Sequence, residues 1–160
     1  MKRPAYARPV RELCEFAAKE GDFDLRFTPS PSAEESILGH KTVASRRGPD
    51  HHSEATVTGA YEELLVRGRI DGYSESQQLV EEVKTLKGDL ERMPANHRTL
   101  HWAQAKVHAW LLCQHLNLAK LRVLLVYFDI GTGTETPFVE RCSASELKLF
   151  FESLCSRFLA

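Results

Sequence analysis

The sequence feature that most constrains the fold is a nearly continuous apolar run, LRVLLVYFD, at residues 121–129. A run this short and this apolar is typical of a strand covered on both faces, because only then are all of its side chains buried. The segment before it, HRTLHWAQAKVHAWLLCQHLNL (97–118), has the longest helical pattern in the chain. A long helix followed by a doubly covered strand predicts an α/β architecture with helices packed on a central sheet.

Helices and strands alternate along the rest of the chain. Helical spacing recurs in three segments: VRELCEFAAKEG with Gly21 as its stop, the segment from the capping-box-like Ser32 to roughly Ala44, and a terminal helix capped by Ser143. Strand patterns occupy FDLRF (23–27), ATVTGAYEELLVRGRIDGY (55–73), QQLVEEVKTL (77–86) and GTGTETPFVER (131–141), with a polar turn around Ser74. We therefore expect a mixed central β-sheet flanked by α-helices, in one domain spanning residues 1–160.

Composition narrows the function classes. Apolar residues make up 42% of the 160 residues and charged residues 27%, which is typical of a globular chain. The formal net charge of −1 argues against binding nucleic acid by bulk electrostatics, although local patches such as Arg46–Arg47 or Arg67 with Arg69 remain open. No apolar run reaches about 18 residues and no signal peptide opens the chain, so we expect no membrane partner and a cytoplasmic location.

Asp71, Glu82 and Lys84 are charged residues at positions of the strand-like stretch GRIDGYSESQQLVEEVKTLKG (68–88) where buried residues would be expected. Residues two apart in a strand point to the same face, so Glu82 and Lys84 are expected to be neighbours, and Asp71 can approach them across the ladder. Two converging carboxylates suit Mg²⁺ or Mn²⁺, and a nearby ammonium can orient a water or stabilise charge on a phosphate. The arrangement therefore predicts metal-dependent hydrolysis of phosphodiesters.

The same letters occur a second time, as Asp129 followed by Glu146-Leu147-Lys148. There the Glu and Lys lie two positions apart on the predicted terminal helix and diverge by about 200°, so they cannot share one site. The copy on the strand passes this geometric test. A cross-strand ion pair on a solvated sheet face remains the alternative interpretation of that copy.

The element order, with Asp71 and Glu82-x-Lys84 on the middle strands, resembles the PD-(D/E)XK (restriction-endonuclease-like) nuclease core over roughly residues 33–128, and within it the RecB-like exonuclease branch. The resemblance implies a deoxyribonuclease that uses Mg²⁺ or Mn²⁺. Gly39-His40 in ILGHK stands where that branch has a Gly–His pair whose His binds metal. The implied metal ligands are His40, Asp71, Glu82 and the Val83 carbonyl.

Gln104 and His108 stand where the same branch has a Gln followed four residues later by an aromatic residue, usually Tyr. The resemblance implies that Gln104 orients the catalytic lysine or contacts substrate, and that Gln104, His108 and Arg69 face nucleic acid. Some RecB-like relatives carry an iron–sulfur cluster on one early and three late cysteines. Because the cysteines here lack the tight late spacing, we expect no cluster and four reduced thiols: Cys14, Cys113, Cys142 and Cys155.

The segments VRELCEFAAKEGDFDLRFTPSPSAEE and GHKTVASRR also resemble the amino-terminal region of DinG/XPD-like helicases that carry such a nuclease module. This resemblance implies a helicase partner, fused or separate, in DNA repair or processing, and a chain that is one module of a longer polypeptide. GTGTET at Gly131 is not followed directly by a helix, so it is no phosphate-binding loop and no nucleotide cofactor is expected. Two alternatives stay open: a catalytically inactive module for nucleic-acid binding or helicase docking, and a structure-selective or restriction-type endonuclease.

Overall fold

The computed structural model describes residues 7–18 and 30–160, and within them a six-stranded mixed sheet is flanked by four helices, so the predicted fold class is confirmed. The predicted strand at 23–27 and the stop at Gly21 lie outside the described residues. A short 3₁₀ turn at Leu90–Arg92 precedes the long helix. The strands are β1 (Ala7–Pro9), β2 (His52–Tyr61), β3 (Leu64–Ser74), β4 (Leu79–Leu86), β5 (Lys120–Asp129) and β6 (Thr134–Ser143). The helices are α1 (Val10–Ala17), α2 (Ala33–Ser45), α3 (Ala95–Leu116) and α4 (Ala144–Leu159).

The predicted β-like run at 55–73 is two strands rather than one. β2 and β3 form an antiparallel hairpin that closes between Tyr61 and Leu64. Its turn has Glu62 at a φ of 52°, a left-handed conformation that non-glycine residues seldom adopt. Because the turn carries no Gly, Asn or Pro, its residues give no turn signal, and this explains why the pattern analysis missed it.

The path of the sheet leaves an opening along one edge of β3. The strand order is β1-β3-β4-β5-β6, and β2 pairs along nearly the whole of β3, from Leu64 to Tyr73. β1 and β4 must therefore share the opposite edge of β3, β1 beside Leu65–Arg67 and β4 beside Gly72–Ser74. Between these two pairings, no strand of residues 7–18 or 30–160 pairs with residues 68–71 on that edge.

Helices cover the two faces of the sheet unequally. On one face, α1, α3 and α4 enclose the main apolar core, which includes Leu111 and Val123. On the other face, α2 packs Val43 against Val83, Val126 and Phe128. β5 contributes to both faces, as its continuous apolar run predicts. Within the described residues, no helix is both long enough and apolar enough to span a membrane.

Candidate active site

Asp71 lies at the point where β3 and β4 separate. The backbone pairing of the two strands ends at Gly72 and Glu81. One residue further along, the Asp71 side chain takes the place of a backbone acceptor, because its Oδ2 accepts the Val83 N–H at 2.7 Å. The carboxylate is thereby held in the opening of the sheet by a hydrogen bond to the backbone of β4.

His40 reaches the same opening from α2. Its Nδ1 lies 2.7 Å from the Ser36 carbonyl, its Nε2 lies 2.9 Å from the Val83 carbonyl, and Nε2 is 3.6 Å from Asp71 Oδ1. If Nδ1–H donates to the Ser36 carbonyl, the Nε2 of a neutral imidazole has a lone pair that faces the Val83 carbonyl and the Asp71 carboxylate. Three electron-rich atoms then face one another, and this arrangement is favourable only when a proton on Nε2 or a metal cation lies between them.

Close packing lets α2 present His40 at this place. A Cβ added to Gly39 would lie 2.8 Å from Thr85 Cγ2 and 3.2 Å from a ring carbon of Phe128, so only glycine permits this approach of helix to sheet. The amino end of α2 is fixed by a capping box between Ser32 and Glu35. The position of the imidazole is therefore set by the whole helix.

Glu82 and Lys84 share the face of β4 that points toward α3, as the strand period predicts. Lys84 Nζ is 3.2 Å from Glu82 Oε1, and His108 Nδ1–H donates to Glu82 Oε2 at 2.8 Å. Burial alone would raise the pKa of Glu82, but the Lys84 ammonium and the His108 imidazole lower it to about 2. Glu82 is therefore an ionised carboxylate with a cation or a donor on each oxygen.

Asp71 has the opposite electrostatic environment. Burial, reinforced by the negative charge of Glu82, raises its pKa to about 6, although the Val83 N–H donates to it. Of the two neighbouring carboxyl groups, Glu82 holds the charge and Asp71 is the one that takes up a proton in mildly acidic solution. Because a bound cation would offset the cost of burying the negative charge, the Asp71 carboxylate is suited to bind a metal cation.

The donors that meet in the opening fit a hard divalent cation. One imidazole nitrogen, one carboxylate and one backbone carbonyl, from His40, Asp71 and Val83, converge there, and oxygen-rich sets of this kind suit Mg²⁺ or Mn²⁺. Both oxygens of Glu82 instead contact Lys84 and His108. In the described part of the chain, no three His, Cys, Asp or Glu side chains form a metal-binding group by themselves, so the carbonyl is an essential member of the set.

The structure places the three residues predicted to face nucleic acid differently. Gln104 is buried beside Glu82 and Lys84, and its Oε1 has no hydrogen-bond partner in the described part of the chain. His108 is also buried, and it contacts Glu82 rather than solvent. Arg69 is exposed and pairs with Glu54 at 2.8 Å. Of the three, only Arg69 has a side chain that projects from the surface.

One cavity lies on each face of the sheet beside this site. The larger, about 510 Å³, lies on the α2 face and is lined by residues that include His40, Asp71 and Arg69. The smaller, about 210 Å³, lies on the α3 face and is lined by residues that include Lys84 and Gln104. Arg69 lines both cavities, so it marks the place where one approaches the other. The opening in the sheet is thus accessible from both faces, and the metal-ligand set and the lysine lie on opposite sides of it.

Gly68 explains how His108 can lie so close to β3. A Cβ on this residue would lie 2.5 Å from the His108 ring and 2.6 Å from Val10 Cγ2. The absence of a side chain therefore makes room for the imidazole that contacts Glu82. The sequence analysis did not single out Gly68, since a glycine within a strand pattern does not reveal which side chain will pack on it.

A buried ionic cluster on the α2 face was also missed. Arg47 Nε contacts both oxygens of Glu81 at 3.1 Å, and Arg47 Nη2 contacts Glu135 Oε1 at 2.6 Å. His51 Nε2 lies 3.2 Å from Glu81 Oε1. The available signal was the double Glu in VEEVK, because two successive residues of a strand face opposite ways and both faces here are covered.

Comparison with known proteins finds similar folds among solved structures. No protein-family model matches the chain, and no curated protein matches its sequence. SSO0001 is similar in structure, with a TM-score of 0.57 and 17% identity over 98% of this chain and 78% of that one. A phage-related exonuclease from Haemophilus somnus 129PT is similar with a TM-score of 0.54 and 16% identity, over 92% of this chain and 76% of that one. The chain therefore shares its fold with an exonuclease.

Proposed function

We propose that this protein is a metal-dependent nuclease that hydrolyses phosphodiester bonds in DNA. The observation that carries the proposal is the convergence of His40, Asp71 and the Val83 carbonyl at an opening of the sheet that Glu82 and Lys84 flank. The fold shared with a phage-related exonuclease supports the same class of activity. We accordingly assign the arrangement to the PD-(D/E)XK type.

The proposed metal ligands are His40, Asp71, Glu82 and the Val83 carbonyl, with Mg²⁺ or Mn²⁺ as the ion. When bound, such an ion lowers the pKa of water and neutralises charge on the scissile phosphate. Asp71 must be ionised to bind the cation, and its backbone hydrogen bond keeps Oδ1 free for this purpose. His40 is oriented for binding through Nε2 because Nδ1 faces the Ser36 carbonyl.

Lys84 and Gln104 act on the other side of the opening. The Lys84 ammonium can donate a hydrogen bond that holds the attacking water, and its charge can stabilise the phosphorane-like transition state. Glu82 keeps the ammonium in place at 3.2 Å. The partnerless Oε1 of Gln104 is an acceptor next to this pair, suited to orienting the lysine or a water.

The test of this function is cleavage of end-labelled single- and double-stranded DNA in the presence of Mn²⁺. Wild-type protein is expected to release labelled products, and Lys84→Ala to lose at least about 100-fold in rate. Lys148→Ala, at an exposed position of α4 in the second copy of the motif, serves as the matched control and is expected to cleave like wild type. Equal cleavage by wild type and Lys84→Ala would contradict the assignment.

We further propose a RecB-like, end-dependent mode of action, with a helicase as fused or separate partner in DNA repair or processing. These finer assignments rest on the sequence resemblance. Closed circular DNA separates an end-dependent exonuclease from a structure-selective or restriction-type endonuclease, since only the endonuclease cleaves a substrate without ends. Co-purification with a helicase encoded nearby, or a helicase segment in the same polypeptide, tests the partnership.

A catalytically inactive module for nucleic-acid binding or helicase docking is the second candidate. The observation that favours it is the state of Glu82, whose two oxygens contact Lys84 and His108 and not the opening that Asp71 and His40 occupy. Titration with Mn²⁺, followed by calorimetry or electron paramagnetic resonance, separates the two candidates. Binding of one Mn²⁺ that Asp71→Asn abolishes supports the nuclease, and DNA binding without Mn²⁺ uptake supports the inactive module.

A further inference from the structure

A third cavity lies away from the candidate active site and is lined largely by polar and cationic side chains. It has a volume of about 430 Å³ and lies where β5 begins and β6 ends, beside the turn that precedes β4. Lys120 and Arg141 are exposed there, and Arg122 is half-buried. The polar lining is completed by Gln77, Gln78 and Ser143.

The strand register brings three positive charges together. Arg122 on β5 is directly opposite Arg141 on β6, and Lys120 is two residues before Arg122 on the same face. Like charges directly opposite each other destabilise a sheet. Within the described residues none of these three cations has an ion pair, whereas Arg47 and Arg69 each pair with a carboxylate. The cluster is therefore an uncompensated positive site in a chain whose net charge is −1.

The cluster lies on the same face of the sheet as the larger active-site cavity. Val123 is buried in the core under α3, so its neighbour Arg122 points to the opposite face, which is the face that α2 partly covers. Glu140 pairs with Lys106 of α3, so Arg141 also points away from α3. α2 does not extend over this end of the face, where Val139 is 57% exposed.

The distance from the active-site cavity suits a bound polynucleotide strand. Glu81, which lines that cavity, pairs with Leu124, two residues from Arg122. With about 4.8 Å between strands and about 3.3 Å per residue, the Arg122 and Arg141 backbones lie about 8 and about 12 Å from that of Glu81. At about 3.4 Å of rise per nucleotide, these distances correspond to about two to four nucleotides.

We propose that Lys120, Arg122 and Arg141 form a phosphate-binding site for the nucleic-acid backbone, a few nucleotides from the scissile bond. The location of the scissile bond rests on the proposed nuclease function. The binding of phosphate by the three cations does not depend on it. Arginine side chains are well suited to bind phosphate groups, because one guanidinium can donate two parallel N–H···O hydrogen bonds to two phosphate oxygens. A single inorganic phosphate would satisfy the same chemistry locally, so the experiment must separate it from a polynucleotide.

The test uses the double variant Arg122→Gln/Arg141→Gln and the control Arg92→Gln/Lys148→Gln, which removes two exposed positive charges elsewhere. Binding of a fluorescent single-stranded oligonucleotide is measured in EDTA, at several salt concentrations, so that cleavage plays no part. The double variant is expected to bind about tenfold more weakly. The slope of the logarithm of its binding constant against the logarithm of the salt concentration should become shallower by about 1.4, which is about 0.7 for each lost phosphate contact. The control is expected to bind like wild type.

Each outcome is decisive. Equal binding by the double variant and the control overturns the proposal, and so does a wild-type protein that binds no oligonucleotide. Full competition by inorganic phosphate at the oligonucleotide's own affinity also overturns it, because the site would then hold a free anion. If the double variant loses binding and wild type cleaves no DNA, the phosphate site stands and the proposed nuclease function fails.

Discussion

Glu81 and Glu82 are adjacent on β4 and both are buried, yet they face opposite sides of the sheet and have different partners. Glu81, 2% exposed, shares the single Nε–H of Arg47 between its two oxygens and contacts His51, and the other nitrogens of Arg47 contact Glu135. This cluster has the composition of a structural clamp between the end of α2 and the sheet.

Glu82 has the same kinds of partner, one cation and one histidine, and Lys84 is 26% exposed where Arg47 is 23% exposed. What differs is the surroundings: Asp71 adds a negative charge that acts on Glu82, and Gln104 has a buried oxygen without a partner among the described residues. The same residue type in the same strand thus belongs to an ion-pair cluster on one face and, on the other, lies beside the opening that His40 and Asp71 reach from the α2 face. Neighbouring like charges and unsatisfied groups of this kind are expected at functional sites.

The largest expected effect is the loss of DNA cleavage when Glu82, rather than Glu81, is replaced. Glu82→Gln removes the charge that positions Lys84 and contributes to metal binding, so the rate of Mn²⁺-dependent DNA cleavage should fall about 1,000-fold. The free energy of unfolding should also fall, by up to about 3 kcal/mol, because Lys84 and His108 lower the pKa of Glu82 to about 2 and so stabilise its ionised form in the folded state; cleavage is therefore compared per folded molecule. Cleavage and urea unfolding are measured on the same preparation. Retained cleavage would remove Glu82 from the site.

The second prediction is that Glu81 contributes to stability but not to cleavage. Glu81→Gln leaves the buried Arg47 guanidinium with Glu135 as its remaining carboxylate, and the free energy of unfolding should fall by about 3 kcal/mol. Cleavage per folded molecule should stay within about tenfold of wild type. The double variant Glu81→Met/Arg47→Met removes both charges and should recover most of the lost stability in urea unfolding. A Glu81→Gln protein with full stability and no activity would reverse the roles of the two carboxylates.

Sequence periodicity was sufficient for part of this picture. The pairing of Glu82 with Lys84 follows from the two-residue repeat of a strand, and the burial of β5 follows from its continuous apolar run. The approach of His40 to Asp71 was reached through a family resemblance, since the two residues are on different elements. What decides such contacts is how helices and strand edges assemble in three dimensions.

Other features could not be predicted from local patterns. The contact of His108 with Glu82 depends on Gly68 lying under the imidazole, which requires the register of β3 against α3. The Arg47–Glu81 cluster depends on where the loop after α2 crosses the sheet. Both are tertiary contacts between residues distant in sequence; the double Glu indicates a buried carboxylate, but the local pattern does not tell which residue contacts it.

The last prediction tests whether the opening of the sheet is electrostatically unfavourable for an ionised Asp71 when no metal is bound. Burial and Glu82 raise the pKa of Asp71 from 3.8 to about 6, so the folded state holds this proton more tightly than the unfolded chain does. The resulting stabilisation is fully present below about pH 4 and is lost as the pH rises through about 6. Asp71→Asn, which can still accept the Val83 N–H, should therefore raise the free energy of unfolding at pH 8 without metal by up to about 3 kcal/mol, and by almost nothing near pH 4. Urea unfolding of both proteins in EDTA across this range measures the difference, and added Mn²⁺ should reverse it by stabilising only wild type. A gain that is independent of pH would mean that burial and Glu82 do not raise the pKa of Asp71 in the folded protein.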